Sequence, residues 1–356
     1  MKSRPMLSLR KYLCLVFMVL TYMNDIPHCT GTSVLGHNEK SRLVRTNRLG
    51  RIRGGGGISS EAAPLNCDCK RRHQRVPPRD ARIWNGTAAV GNDFPWQVRI
   101  EQFNRHGTNT WDHICGGTLI SSRHVLTASH CLDKDADRYQ VLVGTHSRHN
   151  KGRKFRVRDY VQHRETHYEY ENDIALMTIE DDQGRGVTCD QHVQPICLDG
   201  PEFKDGTYCF VSGWGSTETR NLSDRLLYAS VPLLPFKTCQ NVFDGRLPPN
   251  YVEPSSNYLR SMYSMNLRTR FTNKMICAGP LGGGSDVCSG DSGGPLACFD
   301  NNSVAYLTGI TSWAASLCGS QPSAYTKVSE YKNWIRTEQG LSSSAANSYT
   351  MRGFYR

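Results

Sequence analysis

The rhythm of hydrophobic and polar positions changes at Ile83. Before it, aliphatic residues are sparse. After it, short runs of β-branched, aromatic and aliphatic residues recur, each bounded by Gly, Pro, Asn, Asp or Ser. Such runs cover residues 97–101, 117–120, 124–128, 140–143, 173–179, 207–214 and 306–313. Many short strands at this spacing predict an all-β sandwich or barrel. Only residues 328–336 carry a convincing helical period, with Val328, Tyr331, Trp334 and Ile335 on one face. No internal repeat is present.

The flanks follow other patterns. Lys2, Arg4, Arg10 and Lys11 precede an apolar run over residues 12–23 that ends in polar residues. That run is short for a bilayer span, and its basic flank reads as a signal peptide, taken as residues 1–29. Residues 30–82 are rich in Arg, Gly and Ser and include four consecutive glycines, Gly54 to Gly57. They cannot bury enough apolar surface to offset their ordering entropy and read as a mostly disordered propeptide. Residues 341–356 read as a flexible tail, leaving 83–340 as the folded domain.

Charge and cysteine sharpen this division. Residues 1–82 hold 16 of the 43 Lys/Arg and 5 of the 32 Asp/Glu, which accounts for the entire net charge of +11. The domain is electrically balanced, so a polyanion partner would have to be held by the N-terminal arm. No zinc-finger spacing, RNA-binding signature or basic helix is present, and nucleic acid is not an expected partner. Of the 14 cysteines, Cys14 and Cys29 fall in the signal segment. The even number remaining suits a disulfide-bonded, secreted, extracellular protein without stable membrane insertion. Asn85, Asn221 and Asn301 open N-x-S/T triplets, the acceptor pattern for glycosylation.

Three segments carry candidate chemistry. Serine nucleophiles need a base in reach, an anion orienting that base, and donors for the oxyanion. Gly290-Asp291-Ser292-Gly293-Gly294-Pro295 sets a serine among glycines that free the backbone for close approach, with the Gly290 and Ser292 amides able to face one oxygen. Leu126-Thr127-Ala128-Ser129-His130-Cys131 ends a β-type run in a histidine beside a cysteine. Asn172-Asp173-Ile174-Ala175-Leu176 leads an aspartate into an apolar strand. Singly, these are a turn, a surface histidine and a strand start. Together, in the order His, Asp, Ser, they resemble the three signatures of the chymotrypsin–trypsin family of serine peptidases, over about residues 83–340.

The resemblance implies two six-stranded antiparallel β-barrels with a C-terminal helix and the active site between them. It implies His130, Asp173 and Ser292 as catalytic triad and the Gly290 and Ser292 amides as oxyanion hole. Arg82-Ile83-Trp84-Asn85-Gly86 resembles an activation junction, cut after Arg82 by a trypsin-like protease or by the enzyme itself, with the new Ile83 ammonium pairing Asp291. Ser312-Trp313-Ala314 resembles the edge that takes substrate as an added strand. Asp286, six residues before Ser292, stands where Arg/Lys-specific members carry a carboxylate, implying cleavage of proteins after Arg or Lys. Ala314 and Ser323 replace glycines that line the trypsin pocket, and Ser323 could narrow it or hydrogen-bond Asp286. By the same resemblance Cys115 pairs with Cys131, Cys209 with Cys298, Cys239 with Cys277 and Cys288 with Cys318. Cys67, Cys69, Cys189 and Cys197 remain, and two propeptide bridges of undecided connectivity are expected among them.

Other departures bear on cofactors and partners. Ser129 replaces the usual Ala before the histidine, and Trp84 a small aliphatic. The loop over residues 145–154 is basic where calcium-binding members carry carboxylates, and Pro322 replaces the Tyr of sodium-activated members, so no metal or other cofactor is expected. Between Cys239 and Cys277 the chain is longer than the trypsin pattern. It mixes Tyr251, Tyr258, Met262, Tyr263 and Met265 with Arg260, Arg268 and Arg270, which suits either a protein-contact surface or a solvated loop. Expected partners are protein substrates, the activator and proteinaceous inhibitors. A binding module on the same fold is the alternative, distinguished by failure to label with a serine-directed probe.

Overall fold

The computed structural model describes residues 67–70, 76–77 and 86–340, except 92, 106, 150–151, 164–169, 218, 220, 245–269, 283, 285, 315–317 and 320. The expected signal peptide, most of the expected propeptide, the expected Arg82–Ile83 junction with Trp84 and Asn85, most of the stretch between Cys239 and Cys277, and the expected tail lie outside the described residues.

Alternation builds the first layer. In Arg153–Gln162 (β6), Phe155 and Val157 point inward while Lys154, Arg156 and Arg158 face water. In Tyr139–Val143 (β5) every residue is buried. With Gln97–Phe103 (β2), Trp111–Ser121 (β3), His124–Thr127 (β4) and Ala175–Glu180 (β7), these strands close a barrel in the order β2-β3-β4-β7-β6-β5. Its buried core residues include Val98, Ile100, Leu119, Val125, Leu126, Val141, Leu176 and Ile179, all fully or nearly fully buried. Each large side chain so placed contributes about 1.5–3 kcal/mol relative to exposure. Closure leaves no free sheet edge.

The second layer is a seven-stranded sheet, where a second six-stranded barrel was expected. Its order is β1-β9-β8-β11-β12-β13-β10, formed by Thr87–Ala88 (β1), Tyr208–Gly213 (β8), Leu227–Pro232 (β9), Met275–Ala278 (β10), Pro295–Phe299 (β11), Ala305–Trp313 (β12) and Ser323–Lys327 (β13). An isolated bridge between Leu233 and Ala278, with Gly279 N donating to Pro232 O at 3.1 Å, curls β10 back toward the end of β9. No continuous ladder joins them among the described residues, so the sheet is curled rather than closed.

Phe236–Phe243 (α1), which the sequence pattern did not predict, precedes β10. The predicted C-terminal helix is present as a 3₁₀ turn over Val328–Tyr331 running into Lys332–Glu338 (α2). Val328, Tyr331 and Ile335 are buried, and Trp334 packs against the core.

Among the described residues six cysteine pairs lie at bonding distance. Four follow the pairing implied by resemblance: Cys115–Cys131, Cys209–Cys298, Cys239–Cys277 and Cys288–Cys318. The open connectivity resolves as Cys67–Cys189 and Cys69–Cys197.

Candidate active site

The barrel supplies His130 and Asp173. Strand β4 ends at Thr127, whose Oγ1 donates to Gly116 O at 2.9 Å, and the chain turns through a short 3₁₀ segment, Ser129–Cys131. The Cys115–Cys131 bond ties this turn to β3, and Gln162 Nε2 on β6 donates to Ser129 O and Leu132 O at 2.8 Å each. His130 is therefore fixed at its backbone while its side chain stays 33% exposed.

Asp173 sits just before β7 and is buried. Its Oδ1 accepts the His130 amide at 2.9 Å, and its Oδ2 lies 2.8 Å from His130 Nδ1. An ionised carboxylate only accepts, so Nδ1 carries the proton and Nε2 keeps its lone pair for another partner. Ser312 Oγ donates to the same Oδ2, and Thr326 Oγ1 donates to the Asp173 carbonyl at 2.7 Å. Burial acts to raise the Asp173 pKa, but His130, with Ser312, more than offsets it and holds the carboxyl below its usual range. Ser312 reaches Asp173 because the β12–β13 register slips between Thr311 and Trp313, a bulge that re-aims the side chain.

The sequence reading did not single out Asn172. It is buried with φ +59°, and its Oδ1 accepts from Lys274 Nζ and from Tyr331 OH, each at 2.9 Å. A non-glycine in this left-handed region is held by its surroundings. Tyr170, two residues earlier in sequence, also has positive φ; its ring meets His130 edge-on at 5.8 Å and lies 6.4 Å from Trp313. Phe243 packs on Trp313 at 4.3 Å, giving the site an aromatic wall.

The sheet supplies Ser292, on the turn entering β11. Gly290 and Gly293 have φ of +98° and +76°, a region that L side chains rarely adopt. A Cβ on Gly293 would stand 2.1 Å from Thr127 Oγ1, so nothing larger fits. The turn is stitched to both layers: Gly293 N donates to Thr311 O at 2.7 Å, and Gly116 N on β3 donates to Ser292 O at 2.8 Å. The amides of Gly290 and Ser292 have no acceptor among the described residues. His113 Nε2 lies 3.0 Å from Gly290 O, and burial depresses the His113 pKa to about 4, consistent with a neutral ring.

Two buried carboxyls precede the serine in sequence. Asp291 accepts from Gly215 N at 2.8 Å and Cys288 N at 2.9 Å and meets no cation among the described residues. Burial raises its pKa to about 6 despite those donors. Asp286 accepts from Ser323 Oγ at 2.6 Å and Val287 N at 2.8 Å, and burial pushes it to about 8. Ser323 thus makes the hydrogen bond to Asp286.

The family model described as Trypsin matches residues 83–335. The chain belongs to the trypsin family. Membership places this trypsin-family chain among the serine endopeptidases, with proteins as substrates. Its disulfides fit an extracellular setting, and no helix among the described residues is long and apolar enough to cross a membrane.

Proposed function

We propose that the chain is a secreted zymogen, activated by cleavage after Arg82, that cuts proteins after Arg or Lys by limited proteolysis. The observation that supports the catalytic part is the paired hydrogen bond from His130 to Asp173, which fixes the imidazole tautomer and leaves Nε2 for the serine that the glycine-framed turn carries. His130 Nε2 takes the Ser292 hydroxyl proton as Oγ attacks the scissile carbonyl. The oxyanion is met by the unpaired Gly290 and Ser292 amides, each donor worth about 3 kcal/mol of barrier. His130 then returns the proton to the leaving amine, and water repeats the sequence to free the acyl group. Asp173 stays ionised and stabilises the imidazolium.

Asp286 supports the choice of Arg or Lys: among the described residues its buried carboxyl meets no cation, so a basic side chain would give it the charged partner it lacks there. Asp291 supports the activation step, since among the described residues its buried carboxyl meets no cation, and a freed Ile83 ammonium would supply one. A fluorophosphonate probe tests both parts. Protein cleaved at Arg82 should label at Ser292, and Arg82→Gln exposed to the same activator should not. No label on the cleaved protein would sink the catalytic assignment, and full labelling of uncleaved Arg82→Gln the zymogen assignment. Replacing Asp286 with Ser should abolish turnover of basic substrates; retained Arg preference would show that another group sets specificity.

A further inference from the structure

A buried ion pair that the proposed mechanism does not use links the barrel to the Gly290 turn. In β2, Val98 and Ile100 belong to the core, so Arg99 and Glu101 take the other face. Charges on such a face ordinarily stand in water, yet both side chains are only 7% exposed and are ion-paired to each other. Gln140, the register partner of Glu101 on β5, donates from Nε2 to the second carboxylate oxygen at 2.5 Å. The other arm of the Arg99 guanidinium leaves the strand: its Nη1 donates to Arg148 O, on the loop between β5 and β6, at 2.7 Å.

Arg148 relays that hold. Its amide donates to Asp224 O at 2.7 Å and its Nη2 meets Asp224 Oδ1 at 2.8 Å, while Ser147 bridges Arg225 and Leu226 N donates to His146 O at 2.8 Å. Leu222, just before Ser223 and Asp224, has its Cδ2 2.8 Å from where a Gly290 Cβ would project. Ser223 N donates to Trp214 O at 3.1 Å, and Gly215 N and Ser216 N donate to Asp291 Oδ1 and Ser289 O, both at 2.8 Å. Ser289, Gly290 and Asp291 are therefore all backed by a segment that Arg99 anchors through Arg148. From the same face of the barrel, His113, opposite Glu101 on β3, reaches Gly290 O with Nε2 at 3.0 Å.

Stability is a weak reason to keep such a pair. Taking two charges out of water costs about as much as their attraction returns, and well-packed apolar residues of similar volume commonly serve as well. Apolar residues cannot, however, donate to the Arg148 carbonyl. We propose that Arg99 is a positioning residue for oxyanion stabilisation, holding Leu222 against Gly290 through Arg148 and Asp224 and so fixing the Gly290 amide. The role rests on the catalytic reading proposed above. Glu101 and Gln140 aim the guanidinium, and Arg99 itself touches neither substrate nor reacting atoms.

The test uses the full chain cleaved at Arg82, with Arg99→Met and Glu101→Leu made together so that no charge is left buried alone. This double variant should stay folded, with kcat on an arginine amide about tenfold lower and KM within about twofold of wild type. An arginine peptide aldehyde, whose adduct oxygen sits against the Gly290 and Ser292 amides, should bind about tenfold more weakly, whereas a small aromatic amidine at Asp286 should bind as before. Arg99→Lys, which keeps a charge and a donor, should recover part of the loss. Asp224→Ala, at an exposed position, covers the case of a double variant that does not fold; it should show the same split at about threefold. Unchanged kcat and aldehyde affinity would overturn the inference, as would an equal loss of amidine affinity, the mark of a site disturbed as a whole. Hydrogen exchange on Ser292→Ala versions decides the mechanical link without turnover. The amides of Arg148, Ser216 and Ser223 should exchange about tenfold faster once Arg99 and Glu101 are apolar, and unchanged exchange would refute the link. Wild type that never labels with the fluorophosphonate probe fails instead at the proposed activity.

Discussion

Asp286 holds a proton that free aspartate would have lost. Its pKa near 8 compares with 3.8 for the unburied group. Between those values the folded protein binds a proton that the unfolded chain has released, so stability falls as pH rises from about 4 to 8. Asp291 acts in the same direction between about 4 and 6. A cation entering beside Asp286 must expel the proton. Binding of a small aromatic amidine to the activated enzyme should therefore release about 0.9 proton at pH 7 and about 0.1 at pH 9. Calorimetry in buffers of different ionisation enthalpy measures this, and release that is the same at both pH values would contradict it. Ser323 has two opposed effects. Its hydroxyl favours the ionised carboxyl, yet its side chain fills space. Ser323→Gly should raise kcat/KM on basic substrates at pH 9 while moving the alkaline rise of the profile to higher pH. An unchanged profile would mean that the 2.6 Å bond does not control the charge.

At the scale of elements, Asp173, the proposed catalytic aspartate, is held by parts far away in sequence. Asn172 is gripped by Lys274 ahead of β10 and by Tyr331 at the start of the C-terminal helix, while the bulged Ser312 reaches in from β12. Removing one donor to a buried acceptor costs about 1–3 kcal/mol. Tyr331→Phe should thus lower thermal stability and reduce kcat more than it changes KM, because Asp173 loses its setting and not its charge. A rise in KM alone would assign Tyr331 to substrate binding. This network also marks the limit of what the sequence reveals. His130, Asp173 and Ser292 lie in short local motifs, and Tyr331 could be read as buried from helical periodicity. That Tyr331 meets Asn172 depends on the helix packing back over the barrel, and no local pattern encodes that return. The strands show the same contrast. Tyr139–Val143 is legible because all but Gln140 are aliphatic or aromatic. Pro295–Phe299 and Ser323–Lys327 are short, begin in Pro or Ser, and become strands by pairing with β12. In β6 the alternation of Phe155 and Val157 is obscured by Arg153, Lys154, Arg156 and Arg158, which read as a solvated loop until the strand is seen against β5 and β7.

Across the whole molecule, the feature with the widest reach is the pair of bonds Cys67–Cys189 and Cys69–Cys197. They close sequence separations of 122 and 128 residues, and long loops give cross-links their largest entropic effect on the unfolded chain. After cleavage at Arg82 both become bridges between two chains. Unreduced, the activated protein should migrate as one species and split on reduction. Replacing Cys67 and Cys189 together with Ser should still leave the chains joined, through Cys69–Cys197. Release of the short chain without reductant would show that the bridges do not form in the secreted protein.

Redundant attachment has a consequence for transport. A leader severed and lost would carry its surplus of lysine and arginine away, and the remaining enzyme would drift as a nearly neutral particle. Two sulfur links keep the leader aboard. Switching on then alters neither the mass beyond one water nor the electrophoretic character of the particle; it adds one amino terminus and one carboxylate. If cleavage after Arg82 switches the enzyme on, as proposed, the basic arm travels with it before and after, so its charge and its activity become independent variables.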